Sequence, residues 1–348
     1  MQASPRIAVV GAGLAGACAA FALAPYATVT VFEASSSQAE AFRAQGGLVH
    51  PLMTRRARPN WRHEEALQAL ERLLEATGVR VQRGLLRVAF EARQYTDFQE
   101  AARRYPQWAS WLAPEAVRDH FPQVHAPYGA LWIPSGLLVP VATLIQSLLA
   151  HAGVPVHRGV EILDWQETAT EVVLQAANGA AYTFDYVVLA PGYGYVRHPE
   201  LARLPLQGVK GQAIALSSLP ELGHLPPVVA NVHVVFGPDH LHVGSSYELT
   251  FSSLAPSPAQ SLQLQEQAAY WVPAIARATF KEAWVGVRVI RPLQPLPVLS
   301  PLPSRRRVWL FSALGSRGLL FAPLLASWLP KVLFEPERLP PEVRLTRA

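Results

Sequence analysis

Cysteine is nearly absent from this sequence, and lysine is scarce. The 348 residues contain one cysteine, Cys18, and only three of the 30 basic residues are lysines. A single cysteine excludes an intrachain disulfide, a zinc site built from thiolates and an iron–sulfur cluster. Because proteins without disulfides are typical of reducing compartments, the sequence predicts a cytoplasmic protein. The net charge of +5 is mild, so it permits an anionic partner without requiring one.

Charged residues are also few, and one long stretch has none. They make up 16% of the chain, and His120 to His157 contains no Asp, Glu, Lys or Arg. Five prolines interrupt that stretch, so no apolar run reaches the roughly 18 residues that a membrane span needs. We therefore expect no membrane association. Instead, the stretch is predicted to form a strand at 130–134, a turn at Ser135-Gly136 and a helix that begins at Pro140. No signal peptide is expected either, because the apolar strand 6–10 leads straight into a glycine turn.

Hydrophobic residues, at 50%, are numerous enough to build a core, which excludes a disordered chain. Strands are predicted at 6–10 and 28–33, and the continuous apolar run 187–192 predicts a buried parallel strand, whereas 211–251 and 280–291 alternate like antiparallel sheet. Helical spacing of apolar residues predicts the helices, which are expected at 14–24, 63–77, 140–152, 258–270 and 318–329. This mixture predicts an α/β fold.

The first glycine turn has the form of a dinucleotide-binding fingerprint. Its residues, Gly11-Ala12-Gly13-Leu14-Ala15-Gly16, follow an apolar strand and open a helix. In this motif one glycine makes a tight turn, the next lets the backbone approach a pyrophosphate, and the third lets the helix pack on the strand. Glu33, followed by Ala34, ends the next strand, where its carboxylate can accept a hydrogen bond from a ribose hydroxyl. An acid at this position disfavours NADP, and the motif leaves NAD and FAD as alternatives.

Seven further segments complete a pattern that extends to about residue 330. In chain order they are Gly46-Gly47-Leu48-Val49-His50-Pro51, Ala130 to Gly136, Val187 to Gly192, Lys210-Gly211-Gln212, Val243 to Glu248, Gly286-Val287-Arg288 and Gly315-Ser316-Arg317-Gly318-Leu319. Together with the fingerprint they resemble the D-amino-acid oxidase superfamily of FAD-dependent oxidoreductases, which includes glycine oxidase and sarcosine oxidase. Within it, the sequence is most similar to the oxidase half of the bifunctional tRNA wobble-uridine modification enzyme.

The resemblance implies two discontinuous domains. An FAD-binding domain with a Rossmann-type parallel sheet would take residues 1–85, 137–210 and 285–334. An α+β substrate domain with an antiparallel sheet would take 86–136 and 211–284. Residues 335–348, which show no core pattern, would form a C-terminal tail.

The resemblance also implies which residues contact the flavin. Besides the fingerprint, Glu33 and Ala34, they are Gly46, Gly47, Leu48, Val49, Ala190, Gly192, Gly286, Gly315, Ser316, Arg317, Gly318 and Leu319. Backbone N–H groups in the last of these motifs, and the helix N-terminus after it, would stabilise negative charge on the reduced ring. We expect the FAD to be non-covalent, because Cys18 lies at the pyrophosphate end and the His50-Pro51 step more simply shapes its loop.

Three residues are the candidates for catalysis. Arg288 matches the arginine that, in glycine oxidase-like members, pairs with the substrate carboxylate and fixes its α-carbon beside the flavin. Arg317 would stabilise the reduced ring or hold substrate, and His50 lies in the loop beside the isoalloxazine. Arg291 is a second, weaker candidate for the carboxylate. The tyrosine that assists carboxylate binding in the family falls near His233.

These assignments lead to a hypothesis of C–N bond oxidation. A small amine or N-substituted glycine would give up hydride to the flavin, and water would hydrolyse the resulting imine. Oxygen or an unknown acceptor would reoxidise the flavin. The leading substrate is the carboxymethylaminomethyl group of tRNA wobble uridine, and the alternative is free glycine or sarcosine. Because the family's Ser-Gly-Asn before Gly46 and the aspartate after Arg288 are missing, a flavin- or RNA-binding protein without catalysis is a further alternative.

Two other groups of residues suggest ligands. His240 and His242 alternate on one strand without a third ligand nearby in sequence, so we expect no metal site. Two arginine-rich blocks are interpreted either as solvated surface or as contacts to tRNA phosphates. They are Arg55, Arg56, Arg58 and Arg62 in the first block, and Arg305-Arg306-Arg307 in the second.

Overall fold

The computed structural model describes residues 4–34, 40–41 and 46–345. In this part of the chain the strands are β1 Arg6–Val10, β2 Thr28–Glu33, β3 Leu48–Val49, β4 Gln82–Val88, β5 Ser110–Leu112, β6 Ala130–Leu138, β7 Val156–Arg158, β8 Ile162–Glu167, β9 Val172–Ala176, β10 Ala181–Phe184, β11 Tyr186–Leu189, β12 Gln207–Ser217, β13 Val228–Val229, β14 His233–Phe236, β15 His240–Gly244, β16 Phe280–Ile290, β17 Val298–Pro301 and β18 Val308–Ser312. The helices are α1 Leu14–Leu23, α2 His63–Thr77, α3 Ala92–Arg104, α4 Pro114–His120, α5 Val141–Ala152, α6 Pro199–Ala202, α7 Pro258–Trp271 and α8 Gly318–Val332.

The first sheet has the strand order β17-β18-β11-β1-β2-β7. Strand β1 lies between β11 and β2 and is parallel to both. Its side chains alternate between two cores: Ile7 and Val9 pack against the helices, whereas Ala8 and Val10 pack against the small sheet β10-β9-β8. The strand is apolar at every one of these positions because both of its faces are covered.

One face of this sheet is covered by four helices. Helix α1 packs against α5 and α8, and α8 also packs against α2. The predicted apolar stripe of α5 is buried at Leu144, Ile145, Leu148 and Leu149. Helix α2 stops at Gly78, whose φ of 66° is the left-handed conformation that glycine adopts without strain. No helix in the described ranges is long and apolar enough to cross a membrane.

The second large sheet has the order β16-β12-β15-β14-β13-β4-β6-β3, with β5 added beside β6. Its pairings are antiparallel except between β13 and β4. Helix α7 closes the core behind β12 and β15. The fold is therefore α/β with one mainly parallel and one mainly antiparallel sheet, as predicted. Strands β12 and β16 run across the proposed domain boundaries. The division into two domains therefore stays a proposal.

The predicted turn at Ser135-Gly136 is wrong. Both residues lie inside β6, which continues to Leu138. The pairing with β4 moves from Leu85↔Ile133 to Arg83↔Leu137, so the residues between form a β-bulge opposite Gly84. A bulge uses the same small residues as a turn, which is why the sequence signal was ambiguous.

Two other features differ from the sequence pattern. Strand β8 was not predicted, because its register shift between Ile162 and Asp164 breaks the apolar alternation. Residues 335–345 are not a tail without core residues, since Leu339 and Val343 are buried in the core beneath α8. Isolated apolar residues between prolines carry no helix or strand period, so this packing left no signal in the sequence.

Candidate functional site

A long cleft opens at the carboxyl edge of the parallel sheet. The loop after β1 contributes Gly11 and Gly13, the end of β2 contributes Glu33, and the turn after β11 contributes Ala190 and Gly192. The turn after β18 contributes the continuous stretch 313–320. In an open parallel sheet, loops that leave neighbouring strands at this edge form the usual ligand crevice.

The three glycines of the fingerprint have different reasons to be glycine. Gly11 has a φ of 105°, and a Cβ there would collide with the carbonyl oxygen of Ala190. A Cβ on Gly16 would collide with the Gly11 carbonyl, so this glycine lets α1 pack against the turn. A Cβ on Gly13 would meet no protein atom within 4 Å. Gly13 therefore leaves open space in the cleft, as the approach of a pyrophosphate requires.

Helix α1 and Glu33 complete the dinucleotide half of the site. Gly13 caps α1, so the first free N–H groups and the positive end of the helix dipole belong to the cleft wall at Leu14 and Ala15. The carboxylate of Glu33 accepts a hydrogen bond from the N–H of Ala12. Burial raises the pKa of Glu33, against the opposing effect of that hydrogen bond.

The dinucleotide half of the cleft ends in an apolar wall that the sequence did not predict. Phe32, Val160 and Ile162 line it, and Arg197 closes it through an ion pair with Glu161 whose N–O distance is 3.3 Å. Such a wall suits a planar aromatic group like adenine. The signal was missed because it comes from β8 and the turn before it, which the apolar pattern did not reveal.

The opposite half of the cleft is built from glycine-rich turns. Gly47, Leu48 and Val49 form one wall, and 315–319 forms another at the N-terminus of α8. Gly315 has a φ of 56°, and its N–H donates to the Val289 carbonyl at 2.9 Å, which ties the turn to β16. This arrangement aims a helix N-terminus at the cleft, where it favours negative charge.

The structure brings most of the predicted contacts to the cleft wall. These are Gly11, Gly13, Leu14, Ala15, Glu33, Ala34, Gly47, Leu48, Val49, Ala190, Gly192, Arg288, Gly315, Ser316, Arg317, Gly318 and Leu319. Five predicted residues do not line the cleft, namely Ala12, Gly16, Gly46, Gly286 and His50. Any effect that they have on a ligand is indirect, through the residues of the wall. Gly286, for example, has no room for a Cβ because the carbonyl oxygens of residues 40 and 41 would lie 2.7 and 3.0 Å away.

Arg288 is a buried cation in the wall of the cleft. Its side chain comes from β16, the residue is 7% exposed, and its Nη2 donates to the Ser246 carbonyl at 2.7 Å. A Cβ on Gly211 would lie 2.5 Å from the same nitrogen, so a side chain there would displace the guanidinium. Among the described residues this is the one hydrogen bond that the guanidinium donates, out of five N–H donors that could serve a ligand. A buried guanidinium of this kind suits a carboxylate.

Tyr247 is the residue that sequence reasoning missed beside Arg288. Its ring lies under the Arg288 guanidinium, 5.1 Å from Cζ to the ring centroid, and the residue is 61% exposed. The sequence motif Val243 to Glu248 contained it, but nothing in the motif showed which side chain reaches the arginine. Tyr247 therefore stands at the solvent side of the Arg288 guanidinium, where a phenol can add a hydrogen bond.

His233, which was aligned with the family's tyrosine, has another position. Its Nε2 accepts a hydrogen bond from the Gly46 N–H at 3.0 Å, and its ring stacks on His242 at 5.4 Å. Burial, with the nearby charges of His242 and Arg288, lowers the pKa of His233 to about 3. A neutral imidazole thus ties β14 to the loop that forms the cleft wall at Gly47.

Two arginine assignments have different outcomes. Arg317 lines the cleft, donates to the Asn60 Oδ1 at 3.2 Å and to the Pro295 carbonyl at 2.6 Å, and so joins the loops at its mouth. Arg291 is not a carboxylate site. Its guanidinium is buried and already donates to four carbonyl oxygens, those of Leu296, Pro297, Glu342 and Arg344.

His50 lies behind the cleft wall. It is 4% exposed, and its Nδ1 has no hydrogen-bond partner among the described residues. Burial and the nearby Arg87 hold the pKa of His50 well below its usual range, so the side chain is neutral. The described residues contain no group of three His, Cys, Asp or Glu side chains that could hold a metal ion.

The glycine contacts, the helix N-termini and the acid at the end of β2 define a dinucleotide-binding protein of the α/β class. The family model of the FAD dependent oxidoreductases, DAO, matches residues 6–330. The chain belongs to this family. It is an FAD-dependent oxidoreductase, so FAD is the cofactor among the two that the fingerprint left open.

Similar proteins fall into two groups. The tRNA 5-methylaminomethyl-2-thiouridine biosynthesis bifunctional protein MnmC of Polaromonas naphthalenivorans is 30% identical over 382 residues, covering 99% of this chain and 59% of that protein. The glycine oxidase of Pseudomonas aeruginosa is 27% identical over 344 residues, covering 92% of each. This chain thus spans well under two thirds of the bifunctional relatives and nearly all of the glycine oxidases.

Solved structures show the same fold. The glycine oxidase from Geobacillus kaustophilus matches with a TM-score of 0.82 and 24% identity over 99% of both chains. The iminodiacetate oxidase from Chelativorans sp. BNC1 matches with a TM-score of 0.85 and 23% identity, covering 98% of this chain and 100% of that one.

Proposed function

We propose that this protein oxidises the C–N bond of an N-substituted glycine, and that its substrate is the carboxymethylaminomethyl group of tRNA wobble uridine. The observation that carries the proposal is Arg288, a buried guanidinium in the flavin half of the cleft. A buried cation with most of its N–H donors uncommitted favours a ligand with a carboxylate. The name of the bifunctional relative supports the choice of a modified tRNA nucleoside.

The residues that fit FAD are those that leave room for it or present N–H groups to it. Gly13 keeps the pyrophosphate space open, α1 offers its N-terminus, and Glu33 offers a carboxylate for a ribose. At the other end the 315–319 turn offers backbone N–H groups beside the ring. When bound, FAD supplies the two-electron acceptor for the amine. In the overall reaction, the amine, water and FAD would give the shortened amine, glyoxylate and reduced FAD.

The chain's own groups position the substrate. Arg288 would hold the carboxylate, and Tyr247 would cover it from the solvent side. No side chain has to remove a proton from carbon if the amine enters neutral and its α-hydrogen leaves as hydride. His233 keeps a neutral ring behind the loop at Gly46, so it would hold the cleft wall in place without adding charge near Arg288.

A free amino acid such as glycine or sarcosine is the second candidate. The share of each relative that the chain covers favours this candidate. The chain covers 92% of the glycine oxidase of P. aeruginosa but only 59% of the bifunctional relative. Both substrates present a carboxylate next to a C–N bond, so the Arg288 site fits either. The electron acceptor, oxygen or another compound, is common to both proposals.

The experiment that separates the two candidates is product analysis. Holoenzyme is incubated with tRNA that carries the carboxymethylaminomethyl group, and separately with glycine and with sarcosine. We expect glyoxylate to form with the tRNA, together with loss of the carboxymethyl mass from the wobble nucleoside. Rapid glyoxylate formation from glycine, with the tRNA nucleoside unchanged, would replace the first proposal by the second.

A further inference from the structure

The mouth of the cleft is flanked by a short arginine-rich stretch, residues 54–62, which we call the arginine segment. Its Asn60 accepts a hydrogen bond from Arg317 Nη1 at 3.2 Å, and the residue before the segment, Met53, lines the cleft. A ligand that reaches from the Arg288 site out past Arg317 therefore meets this segment first.

Two arginines of the segment are uncommitted. Arg55 is paired with Glu91 at 2.8 Å and Arg62 with Glu65 at 3.0 Å. The side chains of Arg56 and Arg58 are exposed and have no hydrogen bond or ion pair to any described residue. Free arginines on a surface that faces an anionic ligand supply the charge that phosphate binding needs.

The backbone that carries these two arginines is fixed. The buried Arg87 donates to the Thr54 carbonyl at 2.6 Å and to the Arg55 carbonyl at 3.3 Å, and Gln94 donates to the same Arg55 carbonyl at 2.9 Å. The Thr54 hydroxyl accepts from the Arg58 N–H at 2.7 Å. The segment is thus a preformed support, which lowers the ordering cost of binding.

A row of half-buried rings continues from the segment. The ring of His63 bonds through Nδ1 to the Asn60 carbonyl at 3.2 Å and lies edge-on to Trp108 at 4.6 Å. Trp108 stacks on Tyr105 at 5.1 Å with an angle of 18°, and the Arg104 guanidinium lies over Tyr105 at 5.7 Å. Planar groups beside free arginines are the elements that bind unpaired nucleotides.

The second arginine block lies away from the cleft, and two of its three side chains have partners in the protein. Arg305 is paired with Glu200, and Arg307 donates to the carbonyls of Ala169 and Asp185. The block precedes β18, so it lies at the amino edge of the parallel sheet, whereas the cleft opens at the carboxyl edge. Of the two blocks that the sequence offered, only the first lies beside the cleft.

We propose that the arginine segment, with the ring row His63, Trp108 and Tyr105, is the docking surface for a single-stranded RNA loop whose modified nucleotide enters the cleft. This inference rests on the proposed tRNA substrate and adds the surface that would bind it. Arg56 and Arg58 would contact phosphates, and Trp108 would stack against a base.

The test measures binding of a fluorescently labelled RNA stem-loop to the holoenzyme by anisotropy, over a series of salt concentrations. We expect the double variant Arg56→Gln/Arg58→Gln to bind more weakly and to lower the salt slope by about 0.7 for each arginine. Trp108→Leu should lose about 5- to 150-fold in affinity with its salt slope unchanged, because stacking is not electrostatic. The matched control is Arg306→Gln, an exposed arginine in the second block, which should bind as the wild type does.

The outcomes separate this inference from the proposed function. Weakened RNA binding in the double variant, with unchanged turnover of a small carboxylate-bearing amine, supports the surface. If the wild type binds and the double variant binds equally well, the surface is wrong, while the tRNA substrate is not. If the wild type binds no RNA at low salt but oxidises glycine, the tRNA substrate is wrong and the docking surface is wrong with it.

Discussion

Replacement of Arg288 by methionine tests the carboxylate site. Methionine is unbranched and ends where the arginine Nε lies, so the change removes the cation and leaves space in the cleft wall. It also removes the hydrogen bond that Nη2 donates to the Ser246 carbonyl. The FAD content of the variant shows whether the fold persists.

The expected loss follows from the burial of Arg288, which is 7% exposed. Loss of one partner from a buried, hydrogen-bonded charge pair costs roughly 2–5 kcal/mol, which is about 25- to 4,000-fold in kcat/KM. Steady-state assays with carboxylate-bearing amines should show this loss mainly in KM. The FAD content, measured from the flavin absorbance of the purified variant, should equal that of the wild type.

Arg291→Met is the matched control. This arginine directly follows β16 and is also buried. Its guanidinium donates hydrogen bonds to four protein carbonyls and does not line the cleft. We expect a lower melting temperature with an unchanged KM for substrate. If the Arg288 variant keeps the wild-type KM, the carboxylate is bound elsewhere, and Arg317 becomes the candidate.

Three further predictions concern the cofactor. Gly13→Leu should lose FAD, yet its apoprotein should melt at the wild-type temperature, because a Cβ at this position meets no protein atom. Gly16→Ala should lower the melting temperature of the apoprotein, because its Cβ collides with protein atoms. Equal melting temperatures for the two variants would contradict this. FAD affinity, followed by flavin fluorescence, should fall as the pH falls through the raised pKa of Glu33, since the protonated carboxyl accepts ribose hydrogen bonds poorly, and Glu33→Gln should remove this dependence. Acid precipitation should release the flavin, because the buried Cys18 has a raised pKa and is a poor nucleophile; flavin retained in the pellet would point to His50.

The parallel sheet and its first turn could be predicted because their signals are local. An apolar run, three glycines and an acid at the end of the next strand occupy fixed positions in the sequence, and each has one physical role there. The structure leaves no room for a side chain at Gly11 and Gly16, and Gly13 faces open space.

The remainder of the site depends on contacts between distant segments. Arg288 and Arg291 have the same chemistry and are three residues apart, yet only the latter meets the carbonyls of residues 342 and 344. Tyr247 reaches Arg288 across a strand pairing that no sequence pattern fixes. The two arginine blocks likewise differ in their partners, because Glu200 is distant from Arg305 in sequence and adjacent in the fold.

The protein should hold FAD in this cleft and oxidise an amine that carries a carboxylate. Anaerobic mixing of the purified protein with candidate amines in a stopped-flow spectrophotometer tests both expectations at once. We expect a yellow protein whose flavin absorbance bleaches rapidly with the N-carboxymethyl substrate, and far more slowly with the same amine lacking its carboxylate. A protein that is colourless and takes up no added FAD, or a bound flavin that bleaches equally with both amines, would contradict these expectations.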